Sequence, residues 1–211
     1  MRTLTVLSLL LPTLLTTGAP PQPQPRYIIY LHARIVEDQG RLPTDSVFGV
    51  YAYDAILDSL RQAGFVVLSE QRPAAAQSDV FAARVVQQVD SLLGLGVPPA
   101  DISVVGFSKG GWIAILASSR LQNPGISFVF MGACGPWSND PPDLHVAGRL
   151  LSLYEKSDSL GVSCAPLLAR RTPGSEAREI ALEVGRGHGT FFQPRADWLA
   201  PVVAWAQERE P

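Results

Sequence analysis

The chain has 211 residues but only two cysteines and three histidines. Two thiols cannot build a disulfide-dense scaffold or a four-thiolate zinc site. Any histidine-dependent chemistry must draw on His32, His145 or His188. Charge is also scarce, at 17% of residues, and nearly balanced: 17 Lys and Arg face 19 Asp and Glu, for a formal net charge of −2. This excludes the bulk positive field by which proteins hold nucleic acid or an anionic membrane. Hydrophobic residues make up 46% of the chain, too many for a mainly disordered protein, and the length suits one domain.

The first residues read as an export signal. Arg2 precedes a short apolar run from Leu4 to Leu15, and the small residues Thr16, Thr17, Gly18 and Ala19 follow. A basic start, an apolar core and a small-residue site are the marks of a secretory signal peptide. The run is short for a membrane span. The expected organisation is a signal peptide over residues 1–19, a stiff proline-rich leader over 20–25 and a single domain over 26–211. The protein is then exported, to a periplasm or to the outside.

From Arg26 onward, apolar runs alternate with helical patterns. The runs predict strands at 27–32, 65–70, 102–106, 127–131, 150–154 and 179–184. Several are continuously apolar, as in strands covered on both faces. Helices are expected over 51–63, 79–93, 108–121 and 196–208, with Gly64 and Gly94 as terminators. This alternation predicts an α/β fold: a three-layer sandwich with a mainly parallel sheet of about six strands and helices on both faces. It leaves no room for a large lid domain. Function in such sheets gathers at the carboxyl ends of the strands.

One strand runs into Gly106-Phe107-Ser108-Lys109-Gly110-Gly111 and then into a helix. A Gly-x-Ser-x-Gly turn between strand and helix is a nucleophile elbow. Glycines two residues either side of the serine allow a tight turn and a close approach of helix and strand. The hydroxyl is exposed, and the N–H groups of the helix start can bind a developing oxyanion. The competing reading is a glycine-rich turn in which Ser108 only caps the helix. The spacing fits neither a Walker phosphate loop nor a dinucleotide fingerprint.

A serine nucleophile needs a base, and the base needs an acid to orient it. His188 follows the last expected strand between Gly187 and Gly189, well placed to reach over the sheet. His145, among Pro141, Pro142 and Asp143, suits a surface segment. Asp158 follows the fifth expected strand and is the expected acid. Glu155 is its competitor, and Asp140 and Asp143 are weaker candidates.

The order Ser108, Asp158, His188, with the elbow and the segment from Gly187 to Phe191, resembles the α/β-hydrolase superfamily, in its small form without a lid, like dienelactone hydrolases and short-chain esterases. The resemblance spans nearly the whole stretch from Tyr27 to Gln207. It implies a Ser-His-Asp triad and a serine hydrolase that cleaves an ester, thioester or lactone through an acyl-serine. It implies no metal or organic cofactor. One oxyanion donor is expected from the Lys109 N–H and the second from Ala33 or Arg34. Alanine stands at 33 where the family commonly has glycine, and His32 is expected to be structural.

Arg34, Arg72 and Lys109 all follow strand ends or the elbow. Left free, they would bind a substrate carrying a carboxylate or phosphate. The alternative is that they pair with Glu37, Asp38, Glu70 or Glu155. Cys134 and Cys164 follow neighbouring strands, so a disulfide between them suits an exported protein, with two separate buried thiols as the alternative. The expected partner is a small ester-like molecule, with no nucleic acid and no stable membrane span. A non-catalytic binding protein that keeps the fold, or a serine peptidase or acyltransferase, are the other readings. Oligomeric state is not legible in the sequence.

Overall fold

The computed structural model describes residues 24–135 and 143–208. The expected signal peptide over 1–19, most of the leader and Asp140 lie outside the described residues.

The chain opens with strand β1 (Arg26–Leu31), the short helix α1 (Arg34–Gln39) and a hairpin of two-residue strands, β2 (Thr44–Asp45) and β3 (Gly49–Val50). Then come α2 (Tyr53–Gln62), β4 (Phe65–Leu68), α3 (Ser78–Gly94), β5 (Ile102–Phe107), α4 (Lys109–Leu121) and β6 (Ser127–Met131). The chain closes with β7 (Arg149–Glu155), α5 (Ala165–Leu168), β8 (Glu176–Leu182) and α6 (Ala196–Gln207). Six strands form one sheet in the order β4-β1-β5-β6-β7-β8, and every pairing in it is parallel.

The two faces of the sheet follow from side-chain alternation along each strand. Ile29, Leu31, Val104, Phe128 and Phe130 point to a core shared with α3, α4 and α5. Ile28, Tyr30, Val105, Phe107, Val129 and Met131 point to the opposite core, shared with α2 and α6. A strand buried on both faces is mostly apolar, and all six residues of β5 are buried, Ser103 the only polar one among them. On α2, Tyr53, Ile56, Leu57 and Leu60 are buried at helical spacing, which lays one stripe on the sheet.

The chain leaves β1 for the edge strand β4, then crosses back to β5 on the other side of β1. That reversal makes the carboxyl ends of β1 and β5 a topological switch point, the place where ligands bind in open parallel sheets. Leu31 of β1 pairs in register with Gly106 of β5, so the segments leaving the two strands meet at one level.

Some expected boundaries move. Helix α3 passes through Gly94, because the Leu95 N–H still bonds to Ser91 and Leu92; the left-handed turn falls at Gly96 instead. Strand β8 begins at Glu176, earlier than expected: as a sheet edge it keeps Glu176, Arg178 and Glu179 without a continuous apolar run. Residues 34–48, where no element is expected from the sequence, form α1 and much of the hairpin.

Candidate functional site

The elbow is built as its glycines require. Ser108 sits at φ 54°, ψ −119°, a strained backbone for a non-glycine residue. A Cβ on Gly106 would lie 2.2 Å from the Gly110 carbonyl oxygen, and one on Gly110 would lie 1.9 Å from that of Leu31. Both positions admit only glycine because backbone lies against them. The Ser108 side chain makes no capping hydrogen bond, which sets aside the reading of Ser108 as a helix cap. Its N–H instead bonds to the Met131 carbonyl at 2.9 Å, fixing the turn to the end of β6.

His188 lies in a short 3-10 helix, Gly187–Phe191, and is 7% exposed. Its Nδ1 is 2.7 Å from Asp158 Oδ2. The imidazole packs on Phe107, the residue before Ser108, with ring centroids 4.7 Å apart. Gly132, just after β6, borders the same ring: a Cβ there would be 3.2 Å from His188 Cε1. Phe48 from the hairpin covers the ring from another side, with centroids 6.4 Å apart. Asp158, His188 and the elbow thus converge on one rim of the sheet.

Asp158 also accepts the Leu160 N–H at 2.8 Å. Burial alone would raise its carboxyl, but the bond to His188, the imidazole's charge and the Leu160 and Gly161 amides hold it below the usual aspartate value. The competitor Glu155 has a different task. Its carboxylate accepts the N–H groups of Val184 and Gly185 at 2.9 and 3.2 Å and is bonded to Ser157 as well. Burial pushes Glu155 up, and these donors outweigh it, leaving it lowered. It clasps the loop that carries Asp158 to the loop that carries His188. His145 is exposed and hydrogen-bonds the Arg170 carbonyl, away from this constellation.

In the loop after β1, both ring nitrogens of His32 are engaged. His32 is fully buried; its Nε2 accepts the Arg72 N–H at 2.9 Å, so its Nδ1 carries the proton and donates to the Ala33 carbonyl at 2.8 Å. Burial, and then the nearby Arg72 charge, lower His32 to about 3, so it is a neutral structural pin. The buried Tyr51 phenol bonds Tyr30 at 2.8 Å. Arg34 is the first residue of α1, so its N–H has no partner within the helix, and the same holds for Lys109 at the start of α4.

The expected cluster of free cations is corrected. Arg72 is buried and its Nε donates to Glu37 at 2.7 Å. The Lys109 ammonium bonds Glu37 at 2.5 Å and the Ala76 carbonyl at 2.6 Å. Both are engaged with Glu37, as in the paired reading, rather than free for a substrate. Arg34 pairs with Asp38, one helical turn on, in the open. Cys134 and Cys164 form a disulfide across a Cα–Cα distance of 5.3 Å. The Val162 N–H also bonds the Cys134 carbonyl, so the segment after Asp158 is doubly fastened to the end of β6.

Among the described residues, no three His, Cys, Asp or Glu side chains gather where they could hold a metal ion, and no helix is long and apolar enough to cross a membrane. Phe107, Phe48 and Gly132 are the participants sequence reasoning missed, whereas Glu37 is among the partners it offers for the cations. Phe107 stood inside the elbow motif. Nothing local marked Phe48 or Gly132.

No protein-family model matches the chain, and no curated protein matches it in sequence. Solved structures do match in shape. SOBER1 of Arabidopsis thaliana is similar at 13% identity and a TM-score of 0.57, over 87% of this chain and 98% of that one. Esterase PE8 is similar at 17% identity and a TM-score of 0.55, over 85% and 90%. A candidate hydrolase of the alpha/beta superfamily from Xanthomonas campestris pv. campestris is similar at 18% identity and a TM-score of 0.54, over 86% and 96%. With a six-stranded parallel sheet flanked by helices on both faces, the chain has the fold of the α/β-hydrolase superfamily.

Proposed function

We propose that the protein is a serine hydrolase that cleaves an ester, thioester or lactone through an acyl-Ser108 intermediate. The observation that carries this reading is the Asp158–His188 pair at 2.7 Å, held against Phe107 immediately beside the strained Ser108 turn. In this reading, His188 Nε2 takes the Ser108 proton as Oγ attacks the carbonyl carbon, then returns it to the leaving group. Water attacks the acyl-serine with the same histidine as base. Asp158 holds the Nδ1–H tautomer and stabilises the imidazolium. The oxyanion is held by the N–H of Lys109 and the N–H of Arg34. Arg34 is favoured over Ala33 because it opens α1, where its N–H has no partner within the helix.

We infer also that the protein works outside the reducing cytoplasm. The N-terminal pattern and the Cys134–Cys164 disulfide support this. A mature chain that still began at Met1 in the exporting cell would contradict it.

The test is a panel of nitrophenyl esters of graded acyl length, set beside peptide amides, with wild type and Ser108→Ala. Wild type should turn over esters, and the variant should lose several powers of ten in rate. An unchanged rate in the variant removes Ser108 from the chemistry. Folded wild type that neither cleaves any ester nor labels with a fluorophosphonate is a binding protein on a hydrolase fold, and preference for amides would make it a peptidase.

A further inference from the structure

A carboxylate taken wholly out of water is tolerated only when cations and donors surround it. Glu37 is such a group: its side chain is 0% exposed, and it meets Arg72 Nε at 2.7 Å and Lys109 Nζ at 2.5 Å. The three residues come from three segments. Glu37 lies on α1, Arg72 in the turn after β4, and Lys109 opens α4. Arg72 extends the network to the oxyanion loop. Its Nη2 donates to the His32 carbonyl, and its main-chain N–H donates to His32 Nε2. The second cation is balanced in part by the Ala76 carbonyl, which accepts from Lys109.

The position of this network gives it a further role. Helix α1 opens at Arg34 and α4 opens at Lys109, the two residues whose N–H groups the proposed reaction uses. Helix α1 is only six residues long, and Ala33 makes no side-chain cap, so its first turn has little of its own to hold it. Ser108 makes no side-chain cap on α4 either. The Glu37 carboxylate is the direct side-chain bridge between the two helix starts.

We infer that Glu37, by bridging Arg72 and Lys109, is a positioning residue that sets the spacing of the two oxyanion donors. This rests on the proposed function. Glu37 touches no reacting atom; it acts through the backbones of α1 and α4. Oxyanion donors work only when preorganised to the charge that develops, so slack of a fraction of an ångström lowers kcat more than substrate binding.

The decisive variant is Lys109→Met, which removes the ammonium but leaves the Lys109 N–H and the Glu37–Arg72 pair in place. Amide hydrogen exchange is measured over residues 33–39, with α2 as internal reference, together with kcat and KM on the best ester of the panel. Exchange in α1 should rise about tenfold relative to α2, as local opening becomes easier. kcat should fall about tenfold or more, with KM within about twofold. Lys109→Arg should restore most of both. Glu37→Gln should behave like Lys109→Met if it folds; it strands the buried Arg72, so the decision does not depend on it. Unchanged exchange in α1, or a Lys109→Met enzyme with wild-type kcat, overturns the inference. Should wild type turn over no ester at all, the proposed function falls, and the exchange comparison still decides whether the bridge holds α1.

Discussion

The ring of His188 rests on the ring of Phe107, 4.7 Å between centroids, one residue upstream of Ser108. The backbone that carries the proposed nucleophile therefore also supports the proposed base. Aromatic contact of this kind is worth about 0.5–1.5 kcal/mol beyond area burial. Phe107→Leu keeps the site apolar but removes the flat support. We expect kcat to fall about tenfold through a looser imidazole, with a stability loss of about 1–2 kcal/mol. Steady-state kinetics beside urea denaturation checks this. A variant with full kcat and reduced stability would make Phe107 a core residue only.

Asp158 is expected to act through the tautomer of His188. Asp158→Asn keeps the shape and removes the charge, and kcat should fall by about 10⁴ with the fold intact. The carboxyl also leaves a mark on acid stability. Its folded pKa lies below the ordinary aspartate value, because the contacts with His188, Leu160 and Gly161 outweigh the opposing effect of burial. A lowered carboxyl contributes stability above the unfolded value of about 3.9, and this is lost as pH falls through the lower folded value. The wild-type and Asp158→Asn curves of melting temperature against pH should therefore draw together as pH falls below the unfolded value of about 3.9. Parallel curves down to pH 2 would contradict this linkage.

Much of this site is legible in the amino-acid order, and the rest is not, for physical reasons. Strands β1, β5 and β6 are continuous apolar runs because both faces of the sheet are covered, and the expected 127–131 coincides with β6. The elbow is legible because its glycines answer to contacts within the motif and with the neighbouring strand. Helix α1, with the sequence Arg-Ile-Val-Glu-Asp-Gln, is too short to show a helical period and has no capping side chain. The hairpin strands hold two residues each, and Phe48 gains meaning only from His188, far along the chain. Arg72 after a strand end reads either as a free cation or as a partner of Glu37, Asp38, Glu70 or Glu155; which carboxylate lies against it is a tertiary fact no spacing reveals.

His32 predicts a second, separate pH effect. Burial first, then the Arg72 charge, lower it from 6.5 to about 3 in the folded protein. Between those values the unfolded chain binds a proton that the folded one refuses, so stability rises with pH across this window. It is fully present above about pH 6.5 and declines towards pH 3, at up to about 1.4 kcal/mol per pH unit from this residue. Calorimetry of wild type and His32→Asn across pH 4–7 tests it. The variant should show a shallower slope by close to one proton, whatever its absolute stability. An identical slope would mean that His32 takes up its proton in the folded state.

Two glycine substitutions should move stability in opposite directions. At Gly110 a Cβ would stand 1.9 Å from the Leu31 carbonyl oxygen and 2.7 Å from that of His32. Both are backbone atoms of β1 and the oxyanion loop, so neither can swing aside as a side chain could. Gly110→Ala must push α4 off the sheet or distort the loop that carries Arg34. We expect a loss of about 3 kcal/mol or more, with activity falling further than stability. Gly94, at the end of α3, has an ordinary helical backbone with nothing within 4 Å of a built Cβ. Gly94→Ala should gain about 0.5–1 kcal/mol, chiefly by restricting the unfolded chain. At this chain length that raises the melting temperature by about 1–4 °C. Thermal melts of the two variants beside wild type give the answer. A tolerated alanine at 110 would mean that α4 does not press on β1 at the elbow, and with that the stated reason for glycine two residues after Ser108 would be lost.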